Sequence, residues 1–110
     1  SFNVIGNSPL VLRESLLDEV YTMGENFVEA AKRVVSPGMN GPFCIEGVYD
    51  ENAKFTSFEF SARIVAGTNI YMDGSPYYSL LFNENMSMGK RIAREIKIAE
   101  EKNEIEKIVT

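Results

Sequence analysis

The sequence contains no histidine, no tryptophan and a single cysteine, Cys44. Without imidazole there is no histidine general base, no His-bearing zinc motif and no Ser–His triad. One cysteine cannot close an internal disulfide, which fits a reducing cytoplasm. With no His to activate it, Cys44 reads as a packed thiol rather than a nucleophile. Positive charge is also in short supply. The 16 acidic residues outnumber 11 basic ones, giving a formal net charge of −5, so no basic stripe is available to release counterions from a nucleic-acid backbone. A small anion held by backbone amides and one or two Arg stays possible. No apolar run is long enough to span a bilayer, and no secretory leader is read at the start. What is present is an ordinary globular composition, 45% apolar and 25% charged over 110 residues, enough for one domain with a modest core.

The chain is organised around Pro42–Asn69. Two runs rich in Phe, Val, Ile and Tyr, Phe43–Tyr49 and Phe55–Ala62, flank the polar tetrad Glu51-Asn52-Ala53-Lys54, which predicts an antiparallel hairpin. Symmetric folding about Asn52–Ala53 pairs Tyr49 with Thr56, Val48 with Ser57, Gly47 with Phe58, Glu46 with Glu59 and Ile45 with Phe60. Alternation then puts Phe43, Ile45, Tyr49, Phe58 and Phe60 on a core face. The other face carries Cys44, Glu46, Val48, Ser57, Glu59 and Ser61. At its centre two carboxylates are directly opposed, with Cβ atoms about 4.5–5.5 Å apart. Like charges so placed weaken a ladder. Three explanations are open: a solvated face relieved by water, Arg63 or Lys54; a site for one or two divalent cations; or a dyad sharing a proton. With no His or second Cys, hard oxygen ligands suit Mg²⁺ or Mn²⁺.

Ahead of the hairpin, Leu16, Val20, Met23, Phe27, Ala31 and Val34 recur at helical spacing. They predict a helix from about Arg13 to Val35, ended by Ser36-Pro37-Gly38. Gly6-Asn7-Ser8-Pro9 predicts a turn that Asn7 caps or closes through its own side chain, in preference to presenting its amide to a ligand. Arg63 to Met86 has no sustained period and reads as a long irregular connection, with Tyr71, Tyr77, Tyr78, Leu81 and Phe82 as buried anchors. Within it, Gly67-Thr68-Asn69 can offer amides and short polar side chains to a phosphate. Ser87 caps a final helix, Met88 to about Lys102. Lys90, Arg91 and Arg94 precede Glu100 and Glu101 there, the reverse of what the helix dipole favours, so these charges form either a solvated face or a partner surface. The fold class is α+β, an antiparallel sheet with flanking helices.

Glu46 and Glu59 lie thirteen positions apart on the two strands, and the second opens the string Glu59-Phe60-Ser61-Ala62-Arg63. This arrangement resembles the end of an ATP-grasp site. Longer strings are more specific: Val4-Ile5-Gly6-Asn7-Ser8-Pro9, Leu12-Arg13-Glu14-Ser15-Leu16-Leu17, Pro37-Gly38-Met39, Gly41-Pro42-Phe43-Cys44, Ser61 through Asn69, and Ser87-Met88-Gly89. From Ile5 to Thr110 the chain resembles the archaeal formate-dependent FAICAR (5-formaminoimidazole-4-carboxamide ribonucleotide) synthetases. The resemblance implies that residues 1–110 are the C-terminal part of an ATP-grasp fold, without the N-terminal lobe and the first part of the grasp. The implied reaction joins formate to the aminoimidazole carboxamide ribonucleotide AICAR with ATP, giving FAICAR, ADP and phosphate in IMP synthesis. The resemblance further implies that formate is phosphorylated first and that the 5-amino group of AICAR attacks the formyl phosphate.

By the same resemblance, Glu46 and Glu59 match Mg²⁺ or Mn²⁺ ligands and Asn7 matches a residue contacting the AICAR nucleotide. Arg63 is expected to steady the acyl phosphate, and Thr68 and Asn69 to line the substrate pocket. Ser61 stands where many ATP-grasp enzymes carry Asn, a better oxygen ligand, although Ser suits this family. The implied partners are ATP, formate and AICAR, with no nucleic acid and no membrane. The implied full-length enzyme is a cytoplasmic homo-oligomer. Residues 1–110 alone would hold half a site and are expected to be inactive. The competing expectation is a non-catalytic oligomerisation or interaction domain, or a truncated paralogue that keeps the fold.

Overall fold

The computed structural model describes residues 1–110 apart from Phe2, Thr110 and the side chain of Asn69. The chain divides into two compact units, Leu17–Val65, and Ser1–Leu16 with Ala66–Thr110.

The first unit opens with α1 (Leu17–Val34), close to the expected span. Asp18 and Glu19 occupy its first turn and Lys32 and Arg33 its last, matching the helix dipole. The helix enters from a 3-10 turn at Glu14–Leu16. Two strands follow, β1 (Cys44–Tyr49) and β2 (Phe55–Ser61), paired antiparallel in a two-stranded sheet. Phe27 of α1 joins helix to sheet, its ring centroid 5.0 Å from that of Phe43 and 4.8 Å from that of Phe60.

The turn differs from the symmetric expectation. The Asp50 carbonyl accepts from the Ala53 N–H at 3.0 Å, and the Asp50 N–H donates to the Lys54 carbonyl at 3.1 Å. Asp50 Oδ1 also accepts from the Asn52 and Lys54 N–H groups, each at 2.9 Å. An aspartate at the first position of a turn is favoured for this reason. Ala53 takes the left-handed conformation, φ 59°, as in hairpins that follow a type I turn with one αL residue. The loop thus holds an odd number of residues, and the adjoining pairs are Tyr49–Phe55, Val48–Thr56 and Gly47–Ser57. A bulge between Glu46 and Gly47, with Phe58 as the extra residue, restores Glu46–Glu59, Ile45–Phe60 and Cys44–Ser61. The expected pairings of Tyr49, Val48 and Gly47 are therefore off by one, and those of Glu46 and Ile45 are correct.

The bulge moves side chains. Phe55 joins Tyr49, ring centroids 5.0 Å apart, and Ser57 leaves the carboxylate face to pair with Gly47. Phe58, expected in the core, is 67% exposed. Gly47 has no room for a side chain, because an added Cβ would fall 2.5 Å from the Thr56 carbonyl oxygen and would collide with the Phe55 ring.

The second unit carries a 3-10 turn at Ala66–Ile70, a short helix α2 (Pro76–Phe82), a longer helix α3 (Met88–Glu101) and a 3-10 turn at Ile105–Lys107. The segment read as irregular therefore contains α2. Ser75 caps it by accepting from the Tyr77 N–H at 3.3 Å. Pro76 takes the first position, where a missing N–H is harmless, and Asn83 ends it in the αL conformation. Tyr71, Tyr77, Tyr78 and Phe82 are half-buried, but Leu81 is 71% exposed, contrary to expectation. The buried anchor is Met86, whose N–H donates to the Asp73 carbonyl at 3.1 Å.

The α3 helix begins as expected, with Ser87 Oγ accepting from the Lys90 N–H at 3.2 Å. Its reversed charges are satisfied locally: Lys90 and Arg94 reach Glu84, Arg91 pairs with Glu95, and Arg91 and Arg94 lie 5.0 and 4.7 Å from the centre of the Phe82 ring. No partner surface is needed to explain them. After α3 the chain folds back, the Glu104 N–H donating to the Ala99 carbonyl at 2.7 Å. Among the described residues only Met86 and Ala99 are buried apolar side chains, and no helix is long and apolar enough to cross a membrane.

Candidate functional site

Glu46 and Glu59 face each other across the sheet, as the sequence predicts. Their pairing exists because the bulge beside Gly47 returns the strands to register one residue before it is needed. By alternation the pair lies on the face opposite Ile45 and Phe60. Glu46 is half-buried and Glu59 exposed. Among the described residues neither carboxylate has a salt-bridge partner. Arg63, one expected source of relief, instead donates from Nη1 to the Ile64 carbonyl at 2.9 Å. Lys54, the other, belongs to the turn at the far end of the hairpin.

Cys44 sits beside the pair, in register with Ser61. Burial pushes its thiol above the ordinary value, the Glu46 charge adds to the rise, and Arg63 partly opposes it. That is the electrostatics of a packed thiol, not of a nucleophile.

No group of three or more His, Cys, Asp or Glu gathers among the described residues. The hairpin therefore offers two carboxylates and, among the described residues, no protein cage. Such a donor set fits Mg²⁺, which keeps several waters and is commonly held by one or two carboxylates together with substrate phosphates.

Asn7 and Thr68 belong to the second unit. Asn7 is exposed, and among the described residues its side chain makes no hydrogen bond, so the turn-closing role expected of it is not formed. Thr68 is half-buried within the 3-10 turn Ala66–Ile70, and its carbonyl accepts from the Tyr71 N–H at 3.1 Å. The Asn69 side chain lies outside the described residues. Sequence reasoning treated Tyr71 and Tyr77 only as packing groups, yet their hydroxyls bond to the backbone of Leu10 and Leu12. The one available signal was Tyr in place of Phe.

Comparison with known proteins gives a consistent picture. A protein of Nitrosopumilus maritimus named 5-formaminoimidazole-4-carboxamide-1-(beta)-D-ribofuranosyl 5'-monophosphate synthetase is 86% identical over 110 residues, all of this chain and 32% of the relative. A protein of the same name from Pyrococcus horikoshii is 54% identical over 110 residues, 33% of its length. The chain thus spans about a third of the length of these relatives. The crystal structure of an IMP biosynthesis protein PurP from Thermococcus kodakaraensis matches with TM-score 0.79 and 35% identity, covering 97% of this chain and 35% of that one. Among the described residues the arrangement is α+β, two antiparallel strands with three helices, and it matches that structure. The family described as Domain of unknown function (DUF1297) matches residues 1–110, the whole length, and the chain belongs to it.

Proposed function

We propose that this chain is the C-terminal part of an ATP-grasp ligase that formylates AICAR with formate and ATP, releasing FAICAR, ADP and phosphate. The observation that carries the reading is the uncompensated pair Glu46–Glu59 on one sheet face, in a chain whose close relatives are named FAICAR synthetases. Two carboxylates left without cations among the described residues are poorly explained as structure, and well explained as ligands for Mg²⁺ or Mn²⁺. Bound there, the cation would neutralise charge building on the ATP phosphates during transfer.

The remaining roles fall to the chain's own residues. Arg63 donates only to a neighbouring carbonyl, an interaction it can exchange for an acyl phosphate oxygen, which a guanidinium binds in a bidentate fork. Asn7, with its amide free of partners among the described residues, is suited to contact the AICAR nucleotide, and Thr68 and Asn69 to line the substrate pocket. The full-length protein is read as a cytoplasmic homo-oligomer, and residues 1–110 by themselves as inactive.

The test is ADP release by the full-length protein, with and without Glu59→Gln. The expected result is release that requires both formate and AICAR and disappears in the variant. Release independent of AICAR would sink the reading. The competing role, a non-catalytic interaction domain, draws support from exposed side chains such as Val4, Ile5 and Leu10, and predicts no formate dependence at all.

A further inference from the structure

We infer that Tyr71 and Tyr77 are positioning residues that set the place of Asn7 by tethering the segment that carries it. The Tyr71 hydroxyl accepts from the Leu10 N–H at 3.0 Å and lies 3.4 Å from the Leu10 carbonyl, to which it donates. The Tyr77 hydroxyl donates to the Leu12 carbonyl. Among the described residues of this segment only Leu12 is half-buried and the rest are exposed. Residues 3–13 form no regular secondary structure, and the Leu10 side chain is 81% exposed, so packing does not fix it. Among the described residues, these hydroxyls make the only long-range hydrogen bonds to that segment.

Fixing Leu10 constrains Asn7. Only Ser8 and Pro9 lie between them, a span of three steps that reaches at most about 11 Å. Pro9 lies between, locking its own φ and restricting Ser8 before it. The tyrosines are themselves held: the Tyr71 N–H donates to Thr68 and its carbonyl accepts from the Gly74 N–H at 3.0 Å, while Tyr77 sits in the first turn of α2. Tyr71 therefore connects the Asn7 segment to the turn bearing Thr68, another residue of this unit proposed to meet substrate.

This inference rests on the proposed function, and its test separates the two. In the full-length protein, Tyr71→Phe keeps the ring and removes the hydroxyl. Loss of both hydroxyl contacts to Leu10, the 3.4 Å one contributing little, is worth about one hydrogen bond and should raise KM for AICAR on the order of fivefold, leaving KM for formate and ATP within about twofold of wild type by the same reasoning. Asn7→Ala should cost less in the Tyr71→Phe background than in wild type, since the two act on one contact. Exchange of the Leu10 amide, whose N–H the Tyr71 hydroxyl accepts, should quicken in the Tyr71→Phe/Tyr77→Phe variant. Equal rises in all three KM values, or fully multiplicative effects with Asn7→Ala, would overturn the positioning role. Unchanged exchange would overturn the tether. Wild-type protein without AICAR-dependent turnover would overturn the functional reading and the role given to Asn7, and the exchange measurement would still decide the tether.

Discussion

Gly47→Ala probes the bulge that sets the carboxylate pair. The added methyl would stand 2.5 Å from the Thr56 carbonyl oxygen and 2.8 Å from Cε1 of Phe55. A carbon rests against a carbonyl oxygen at about 3.3 Å or more, so roughly 0.8 Å must be found. The Phe55 ring can swing aside, since it is half-buried and hinged at its own Cβ. The Thr56 oxygen is backbone and moves only if β2 separates from β1. Overpacking of this kind costs about 1–3 kcal/mol. At the middle of that range, hairpin amides should exchange about 30-fold faster in native-state hydrogen exchange of the full-length protein. The strain falls next to Glu46, so the divalent-cation dependence of ADP release should weaken in the same variant. Adding Phe55→Ala tells the two obstacles apart: if the carbonyl is decisive, truncating the ring does not restore protection. Exchange within threefold of wild type for Gly47→Ala would refute the close approach, and with it the bulge geometry.

Three further outcomes follow from the backbone and the ion pairs. Ala53→Gly should slow hairpin exchange, because relief of an αL strain of about 1–2 kcal/mol outweighs the roughly 0.5–1 kcal/mol of added glycine entropy; faster exchange would contradict the φ of 59° at Ala53. Gly74→Ala should open the packing around Met86, because Gly74 has φ +75° and an added Cβ would run into the Met86 carbonyl. The readout is peroxide oxidation of the fully buried Met86, expected to accelerate at least tenfold, the factor for about 1.4 kcal/mol. Finally, Lys32, Lys90 and Lys107 hold Glu29, Glu84 and Glu104 below the ordinary carboxyl value of 4.5, chiefly through hydrogen bonds. The folded values are the lower ones, so this stabilisation is present above pH 4.5 and is lost as pH falls through them. Replacing the three lysines with Met should flatten that part of the acid limb of an unfolding curve, and added salt should mimic the change.

How far the sequence spoke for the structure varied with the length of the signal. The helix period from Leu16 to Val34 spans five turns and located α1, and the Ser87 cap located the start of α3. The hairpin was legible as two strands, but its turn was not. The αL position that makes the loop odd is filled by Ala53 rather than Gly, so no local residue advertised it. Two irregularities then cancelled: the odd loop shifted the pairing by one, the bulge shifted it back, and Glu46–Glu59 emerged as if neither existed. The α2 helix was missed because seven residues are too few to show a period, although Ser75-Pro76 is a helix-start signature. The candidate site divided likewise. Paired carboxylates follow from strand alternation, whereas the tethering of Leu10 by Tyr71 joins residues 61 positions apart, a distance over which no local pattern operates.

A cation-binding role for the same pair of glutamates would make stability and activity point in opposite directions, which separates a binding site from a solvated face. Two like unit charges about 4 Å apart in water repel by about 1 kcal/mol, and among the described residues no cation forms an ion pair with Glu46 or Glu59. Removing one charge with Glu59→Gln keeps the shape of the side chain and relieves that repulsion. Without divalent cations, the hairpin of the variant should therefore be more protected from exchange than that of the wild type, by a few fold. Saturating Mg²⁺ should protect the wild-type hairpin and leave the variant nearly unmoved, since ligands that bind only the folded state stabilise it in proportion to occupancy. Activity should fall in the variant under every condition. A site kept at the expense of its own strand pairing is the usual pattern where function and stability conflict. If Glu59→Gln instead weakens the hairpin and Mg²⁺ protects neither form, the carboxylates are being satisfied by something other than a cation, and the metal role assigned to Glu46 and Glu59 is wrong.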